Sequence, residues 1–498
     1  MSPQVVSTMA LVVPSLASGL IALSRRKPNL RETWTILASF LLFGLVASLL
    51  PGVLRGDEPT VVTILTLADG LVLELRVDEL GMLFALLASF LWIPTSFYAI
   101  GYMRGHGEGH QTRFFACFAL CLTAVVGLAF SANLFTFFVF YEALTLATYP
   151  LVTHHGTDAA RAAGRRYFAY LLTGGAALLL ALAVLHHSLG DLTFVPGGIV
   201  EGRMSDMAII GVFALFVLGF GSKAAIIPLH KWLPSAMVAP TPVSALLHAV
   251  AVVKAGVFGF ARAIGYVIGP GPLSDIGIAV VLSGLAALTI VVASFIALFQ
   301  DQIKRRLAYS TIAHLSYIVL GLSLLSATGW TGGLLHMVNH AALKITLFFV
   351  AGALYVHLHY DRVSQLDGVG RRMPITMGAF GLASLGLAGL PPMGGFMSKW
   401  YLVLGGADAD QLVFAGVMLF SGMLTAGYLF PIVFRAFFRP LPAVDAGVPL
   451  GLKGEASPFM VVPIAVTAGL GLFLGLGDLV GVFELATTNA EDVMGVAP

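Results

Sequence analysis

The sequence predicts an all-α polytopic membrane protein with about 14 transmembrane helices. First, 58% of the 498 residues are hydrophobic and only 10% are charged, whereas about 25% of a soluble chain is charged. Second, apolar stretches long enough to cross a bilayer, which takes about 20 residues, recur along the chain. The predicted segments 1 to 14 are 4–24, 33–51, 79–101, 113–131, 133–153, 166–187, 207–227, 236–261, 276–299, 307–326, 331–356, 373–403, 411–434 and 457–483.

The distribution of basic residues predicts the topology. Nineteen of the 27 lysines and arginines lie in or beside alternate connecting loops, here called the basic loops. These loops are 25–32, 102–112, 154–165, 228–235, 300–306, 357–372 and 435–456. Because cytoplasmic loops carry an excess of Lys and Arg, we expect a multi-pass protein of the bacterial cytoplasmic (inner) membrane, with both termini on the outer, periplasmic side. A charged loop and a second span follow segment 1, so we expect segment 1 to be retained.

Prolines predict interruptions in two segments. Segment 7 carries Pro228 shortly after Lys223, and segment 12 carries Pro391 and Pro392 shortly before Lys399. Proline removes a backbone donor, and interrupted backbone at membrane depth must be covered by protein or line a wet cavity. Segments 7 and 12 are five apart and so cross in opposite directions, as in the inverted repeats of secondary transporters.

This pattern divides the chain into four predicted parts. They are N-terminal segments 1–3 (residues 1–110), a first five-helix repeat of segments 4–8 (111–265), a second, inverted repeat of segments 9–13 (266–440), and segment 14 (441–498).

Titratable side chains inside the apolar segments are the candidate functional residues. A charge at the centre of a membrane helix costs about 3 kcal/mol, so we expect such residues to serve ion transport. Segment 11 places His336, His340 and Lys344 on one helical face, over about 12 Å. An imidazole titrates near neutral pH, so this stripe predicts a proton path. The other candidates are Glu142, Lys223, His248, Lys254, His314 and Lys399.

Structural explanations compete with this hypothesis. A lone histidine such as His314 is as often a hydrogen-bond partner between membrane helices as a relay. Glu142 either neutralises Lys223 as a structural pair or takes part in transport, and a buried pair adds little stability. A metal site at His336 and His340 needs a nearby carboxylate, and the sequence offers none close by. We expect no metal, no cofactor and no nucleic-acid partner.

Five motifs resemble one family. They are Val139 to Thr145, Gly221 to Pro234, Pro240 to His248, Asp301 to Ser310, and His336 to Lys344 with its four-residue spacing. In this order, over roughly residues 80–435, they are similar to the antiporter-like membrane subunits of Mrp-type cation/proton antiporters, respiratory complex I and membrane-bound hydrogenases. The chain length and Lys399 look most like the D subunit of an Mrp-type antiporter.

The resemblance implies a proton-translocating subunit of a multisubunit cation/proton antiporter. It implies an ion pair between Glu142 and Lys223, connecting residues on segment 8, a central relay on segment 11, and Lys399 as the terminal titratable residue. It also implies that the chain has no catalytic chemistry of its own. The expected partners are other integral membrane subunits, the lipid bilayer, and protons, with Na⁺ or K⁺ as the coupled cation.

Several alternatives stay open at this point. One is a proton-pumping membrane subunit of a complex I-like (NADH:quinone oxidoreductase-like) or hydrogenase redox complex. Another is the membrane subunit of a two-component inorganic-carbon uptake system. A redox subunit that itself binds quinone or a cluster would need cofactor ligands, and a passive scaffold would need no ordered buried charges. Neither of these last two explanations fits the sequence.

Overall fold

The computed structural model describes residues 2–441, 450–478 and 480–496, without the side chains of 247–249. Part of the basic loop 435–456 therefore lies outside the described residues. The fold is mostly helical, as predicted. The helices are α1 (Pro3–Leu23), α2 (Pro28–Leu54), α3 (Glu79–Gly105), α4 (Gln111–Ala129), α5 (Leu134–Val152), α6 (Asp158–Leu189), α7 (Asp206–Ala224), α8 (Trp232–Ser235), α9 (Thr241–Ala249), α10 (Val252–Arg262), α11 (Pro270–Ile276), α12 (Ala279–Leu298), α13 (Ile303–Ser323), α14 (Ala327–Leu358), α15 (Val369–Arg372), α16 (Pro374–Ala388), α17 (Gly394–Asp408), α18 (Leu412–Phe438), α19 (Pro458–Phe473) and α20 (Val482–Met494).

Within the described residues, ten helices are long and apolar enough to cross a membrane. An eleventh span is present if the helix Val252–Ile268 and α11, which meet at a bend of 85°, are counted together. α16 and α19 are apolar but shorter, and α13 carries a basic first turn and several polar side chains. The predicted total of fourteen spans and the two inverted repeats therefore stay predictions.

A β-hairpin lies between α2 and α3, where the sequence analysis expected only a loop. Strands β1 (Val61–Ala68) and β2 (Leu71–Arg76) pair antiparallel and leave Asp69 and Gly70 as the turn. Gly70 has a φ of 73°, a backbone conformation that glycine adopts without steric cost. The Asp-Gly pair between β-branched and apolar residues was the signal for this hairpin.

The basic loops meet on one face of the protein. His155 Nδ1 lies 3.1 Å from the carbonyl oxygen of Val238, and Lys304 Nζ donates to the carbonyl oxygen of Ala239 at 2.7 Å. These contacts join the loops that follow α5, α8 and α12. We call this side the basic face.

α14 is the central helix. Every residue from Gly329 to Leu354 is buried, and the helix packs against α3, α9, α13, α16, α17, α19 and α20. A helix that is apolar all round is expected in such a position. The polar stripe of His336, His340 and Lys344 therefore faces other helices and not lipid.

Both predicted helix interruptions are present. α7 ends at Ala224, and Pro228 lies in the turn that follows. α16 ends at Ala388, and Pro391 and Pro392 lie between it and α17. Each interruption lies close to a lysine of the candidate path.

A third interruption was not predicted. Segment 8 is divided into α9 and α10 by Val250 and Ala251, whose backbone angles are not helical. No proline marks this position, so the sequence gives no local signal for it. Lys254 lies in the first turn of α10, directly after the interruption.

Candidate functional site

Three histidines form the centre of the candidate site. His336 and His340 lie on α14 and His314 lies on α13, and at most 1% of each is exposed. His314 Nδ1 lies 3.1 Å from His336 Nε2. The ring centroids of His314 and His340 are 5.5 Å apart. The described residues contain no cluster of three or more His, Cys, Asp or Glu that could hold a metal.

Lys254 connects this centre to the first half of the chain. Its Nζ lies 2.9 Å from His340 Nδ1, and the lysine is fully buried. The interruption before α10 places the lysine beside α14. Gly256, two residues further on, allows α10 to approach the end of α7, because a Cβ at Gly256 would lie 2.4 Å from the backbone nitrogen of Ala224.

Lys399 lies on the other side of the three histidines. His336 Nδ1 lies 2.9 Å from the hydroxyl of Ser398, the residue before Lys399. Lys399 Nζ donates to the carbonyl oxygen of Ala388 at 3.1 Å. Ala388 is the last residue of α16, where carbonyl groups no longer have a partner in their own helix. The interruption between α16 and α17 therefore supplies the acceptor for the lysine.

Lys344 shares α14 with the histidines but has different contacts. Its Nζ donates to the hydroxyl of Ser310 at 2.6 Å, and that hydroxyl lies 2.9 Å from the phenol oxygen of Tyr428. The sequence placed Lys344 in register with His336 and His340, and its helical position agrees. Its ammonium group instead contacts the Ser310 hydroxyl on α13, which in turn contacts Tyr428 on α18.

Glu142 and Lys223 lie on neighbouring helices, but the expected ion pair between them is not formed. Lys223 Nζ donates to the carbonyl oxygen of Tyr141 and lies 3.3 Å from the centroid of the Tyr141 ring. Glu142 is half-buried, and its Oε1 has no hydrogen-bond partner among the described residues. Its carboxylate lies against Gly175 of α6. The acid and the lysine therefore lie on neighbouring helices but form no ion pair with each other.

The side-chain position of one candidate, His248, is not described, and several residues that contact the other candidates were not predicted. α9 carries His248, but its side chain is outside the described part of the structure. Tyr141, Ser310 and Ser398 contact candidate lysines or histidines, and Tyr428 contacts Ser310. None of them was among the predicted site residues. Their hydroxyls and carbonyls give no signal in one sequence, because their role depends on which helices pack together.

A buried ion pair was also missed, toward the opposite face. Arg262 NH1 and NH2 donate to Asp78 Oδ2 and Oδ1 at 2.6 and 2.8 Å. The sequence analysis did not single out Arg262, which is fully buried. Its guanidinium carbon lies 4.6 Å from the centroid of the Tyr266 ring, an additional stabilising contact for a buried cation.

Comparisons with known proteins agree with the motif resemblance. Residues 131–425 match the family model described as "NADH:quinone oxidoreductase/Mrp antiporter, TM". NADH-quinone oxidoreductase subunit N of Desulforudis audaxviator is 36% identical over 418 residues, which cover 81% of this chain and 82% of the relative. A protein of Rhizobium meliloti described as a probable K(+)/H(+) antiporter component is 33% identical over 385 residues, which cover 75% of this chain and 37% of that longer protein.

Two solved structures share the fold. A chain of the Mrp complex from Dietzia sp. superimposes with a TM-score of 0.86 at 23% identity, covering 99% of this chain and 98% of that chain. A chain of the membrane-bound sulfane sulfur reductase, an archaeal respiratory membrane complex, gives the same TM-score, identity and coverage.

Proposed function

The chain belongs to the NADH:quinone oxidoreductase/Mrp antiporter family of transmembrane proteins, and from this premise we propose that it is the proton-translocating subunit of a multisubunit cation/proton antiporter. It is a multi-pass integral membrane protein, and its relatives and structural neighbours are subunits of membrane complexes. Protons move along the row of Lys254, His340, His314, His336 and Lys399, in which the first four residues are buried and Lys399 is half-buried.

One observation carries the proposal: polar side chains of four helices, α10, α13, α14 and α17, follow one another closely from Lys254 to Ser398. The steps are 2.9 Å from Lys254 to His340, 3.1 Å from His314 to His336, and 2.9 Å from His336 to Ser398. Between His340 and His314 the rings are close, but the atoms do not hydrogen-bond directly. The Nε2 atoms of these two rings have no partner among the described residues, so a proton crosses this step by rotation of a ring or through a water molecule.

Glu142 and Lys223 serve as the switch at the first end of the row. Lys223 now donates to Tyr141, and Glu142 has an unpaired oxygen. If Lys223 turns to Glu142, the ion pair favours its charged form. Turning back to Tyr141 removes that support, so the lysine then releases its proton more readily.

A second candidate function is a proton-pumping subunit of a complex I-like redox complex. It is favoured by the relative described as NADH-quinone oxidoreductase subunit N, which is 36% identical and of comparable length. The same row would carry the protons, and partner subunits would supply the energy. The membrane subunit of an inorganic-carbon uptake system is the remaining alternative. For each, we propose the bacterial cytoplasmic membrane, with the basic face inside and both termini outside.

The test is proton transport in inside-out vesicles that contain the assembled complex. We expect Lys223→Ala, Glu142→Ala and Lys399→Ala each to lower cation-dependent proton movement by at least about tenfold, since a positioned proton-transfer group contributes about 10²–10⁴-fold. The amount of complex in the membrane should change little. Arg25→Ala, in an exposed basic loop, is the control and should transport normally. Normal transport in all three variants would refute the proposed row.

A further inference from the structure

A cavity of about 280 Å³ opens on the basic face. The loop after α5, the start of α9, the start of α13 and the end of α14 surround it. Its lining includes Tyr102, His155, Thr241, Lys304, Tyr355 and Asp361. Most of its lining is apolar, but polar and titratable side chains also face it and it reaches the start of α9, so it has room and hydrogen-bond partners for water.

A Glu–His pair lies at the rim of this cavity. His155 Nε2 lies 3.1 Å from Glu108 Oε1, and His155 Nδ1 lies 3.1 Å from the carbonyl oxygen of Val238. Glu108 belongs to the loop between α3 and α4, so the pair joins two basic loops across the opening. About one third of the His155 side chain is exposed. This imidazole therefore contacts both the cavity and the surrounding solution.

α9 leads from the cavity toward the buried row. Thr241, its first residue, packs against Gly352 of α14, since a Cβ at Gly352 would lie 2.8 Å from Thr241 Cγ2. α14 ends at the cavity where α9 begins, so the two helices run antiparallel. Lys344 is eight residues before Gly352, or about 12 Å along the helix axis. α9 has nine residues and covers a similar length.

A buried hydroxyl without a partner lies on this route. Ser244 is one helical turn beyond Thr241 and fully buried, and its hydroxyl has no hydrogen-bond partner among the described residues. Buried polar groups are nearly always hydrogen-bonded, to protein or to ordered water. The helix is interrupted after α9, and Lys254 lies in the first turn of α10, where it contacts His340. The described polar side chains of α9, Thr241 and Ser244, thus follow one another from the cavity along the helix that precedes Lys254.

We propose that this cavity and the polar side of α9 form the access route between the basic-face solution and the Lys254–His340 step, with Glu108 and His155 as the proton-exchanging pair at its mouth. This inference rests on the proposed proton transport. A proton is taken from solution by the imidazole of His155, passes to water in the cavity, and reaches the row past Ser244. Glu108 is the positioning residue that holds the imidazole at the rim.

The charges around the pair set its pH dependence. The hydrogen bond and charge of Glu108 raise the pKa of His155, against the effect of burial. Burial favours the neutral acid, yet the bond and charge of His155 leave the pKa of Glu108 below its ordinary value. His155 consequently keeps its proton to higher pH than an isolated imidazole. The other titratable or charged groups that face the pair are His106, Arg113, His154, Lys304 and Asp361.

Inside-out vesicles containing the assembled complex expose the basic face to the medium, so the pH of this face can be varied directly. The test variants are Glu108→Gln, His155→Asn and Ser244→Ala. His110→Asn, an exposed histidine near Glu108, is the control for the pair. Ser89→Ala is the control for Ser244, because Ser89 is also fully buried but its hydroxyl donates to the carbonyl oxygen of Ala85 in its own helix.

We expect His155→Asn and Ser244→Ala to slow proton uptake by roughly tenfold, while both controls keep normal rates. Glu108→Gln should move the pH at which uptake declines to lower values, because His155 then loses its proton at lower pH. A purely structural Ser244 should tolerate alanine, since no hydrogen bond is lost.

The outcomes separate the two proposals. Normal rates and an unshifted pH profile in all three test variants, together with loss of transport in Lys223→Ala, would overturn the access route and leave the row intact. Normal transport in Lys223→Ala would instead overturn the proposed function itself. An unchanged pH profile in Glu108→Gln with a slow His155→Asn would refute the positioning role of Glu108.

Discussion

Substituting Gly175 by alanine tests whether the position of the Glu142 carboxylate matters for transport. A Cβ at Gly175 would lie 2.5 Å from Glu142 Oε1 and 2.7 Å from Cδ. Ordinary contact begins near 3.4 Å, so the carboxylate must retreat by about 0.9 Å. The end of a glutamate side chain moves easily, so the fold accepts this change. Since a 1 Å misplacement of a functional group can cost about 10²-fold, we expect transport to fall by roughly ten- to hundredfold.

The stability effect of the same substitution has the opposite sign. Replacing glycine by alanine within a helix stabilises it by about 0.5–1 kcal/mol, so unfolding does not explain a loss of transport. Gly211→Ala in α7 is the matched control, because a Cβ there meets nothing within 4 Å. The assay is cation-dependent collapse of a pH gradient in inside-out vesicles, normalised to the amount of assembled complex. Normal transport in Gly175→Ala would refute a role for the carboxylate position, and equal losses in both variants would indicate a defect of assembly.

Two further predictions concern buried contacts. Ser398→Ala removes the hydroxyl beside His336 Nδ1 and should lower proton transport by about 10²-fold, with recovery in Ser398→Thr; unchanged transport would show that the row does not pass Ser398. Asp78→Asn leaves the buried Arg262 without its carboxylate and should cost about 3–5 kcal/mol of stability, seen as a lower thermal unfolding temperature in detergent. Asp57→Asn is its control: this acid pairs with Arg55 on the exposed surface, where a pair contributes about 0–1 kcal/mol, so an equal effect of the two substitutions would contradict the reasoning.

The sequence was most informative where the signal is local. His336 and His340 are four residues apart, so helical geometry alone predicts that they share one face. The prolines at 228, 391 and 392 mark two of the interruptions for a similar reason, because a missing N–H group acts on its own helix. The Asp69-Gly70 turn was equally local, and its hairpin could have been predicted.

Contacts between helices could not be predicted from one sequence. The interruption at Val250 and Ala251 has no proline, and it is stabilised by packing that only the folded chain provides. The same holds for Ser398, whose hydroxyl meets His336 from another helix. The expected ion pair of Glu142 and Lys223 is not formed for the same reason, because the carbonyl oxygen of Tyr141 accepts the hydrogen bond from the lysine.

The contrast between Arg262 and the lysines supports the proposal that protons move along the row. This fold can form a tight buried pair, since Asp78 meets Arg262 at 2.6 and 2.8 Å. An ionised acid placed 4 Å from a buried lysine would stabilise the charged form of that lysine by about 4 kcal/mol at an effective dielectric constant of 20. Lys254 instead contacts the imidazole of His340, which accepts a proton without trapping it.

Repulsion between charged imidazoles would limit how many protons the row holds at one time. Charges on His314 and His340, whose ring centroids are 5.5 Å apart, would repel each other by about 3 kcal/mol at the same dielectric constant, more than a hundredfold in population. In the proposed mechanism the centre therefore holds one excess proton at a time, and the arrival of a second proton favours release of the first. Glu142 is the single acid among the candidate residues. In the proposed mechanism it acts before the row, so that pairing of Lys223 with Glu142 changes no contact between the imidazoles.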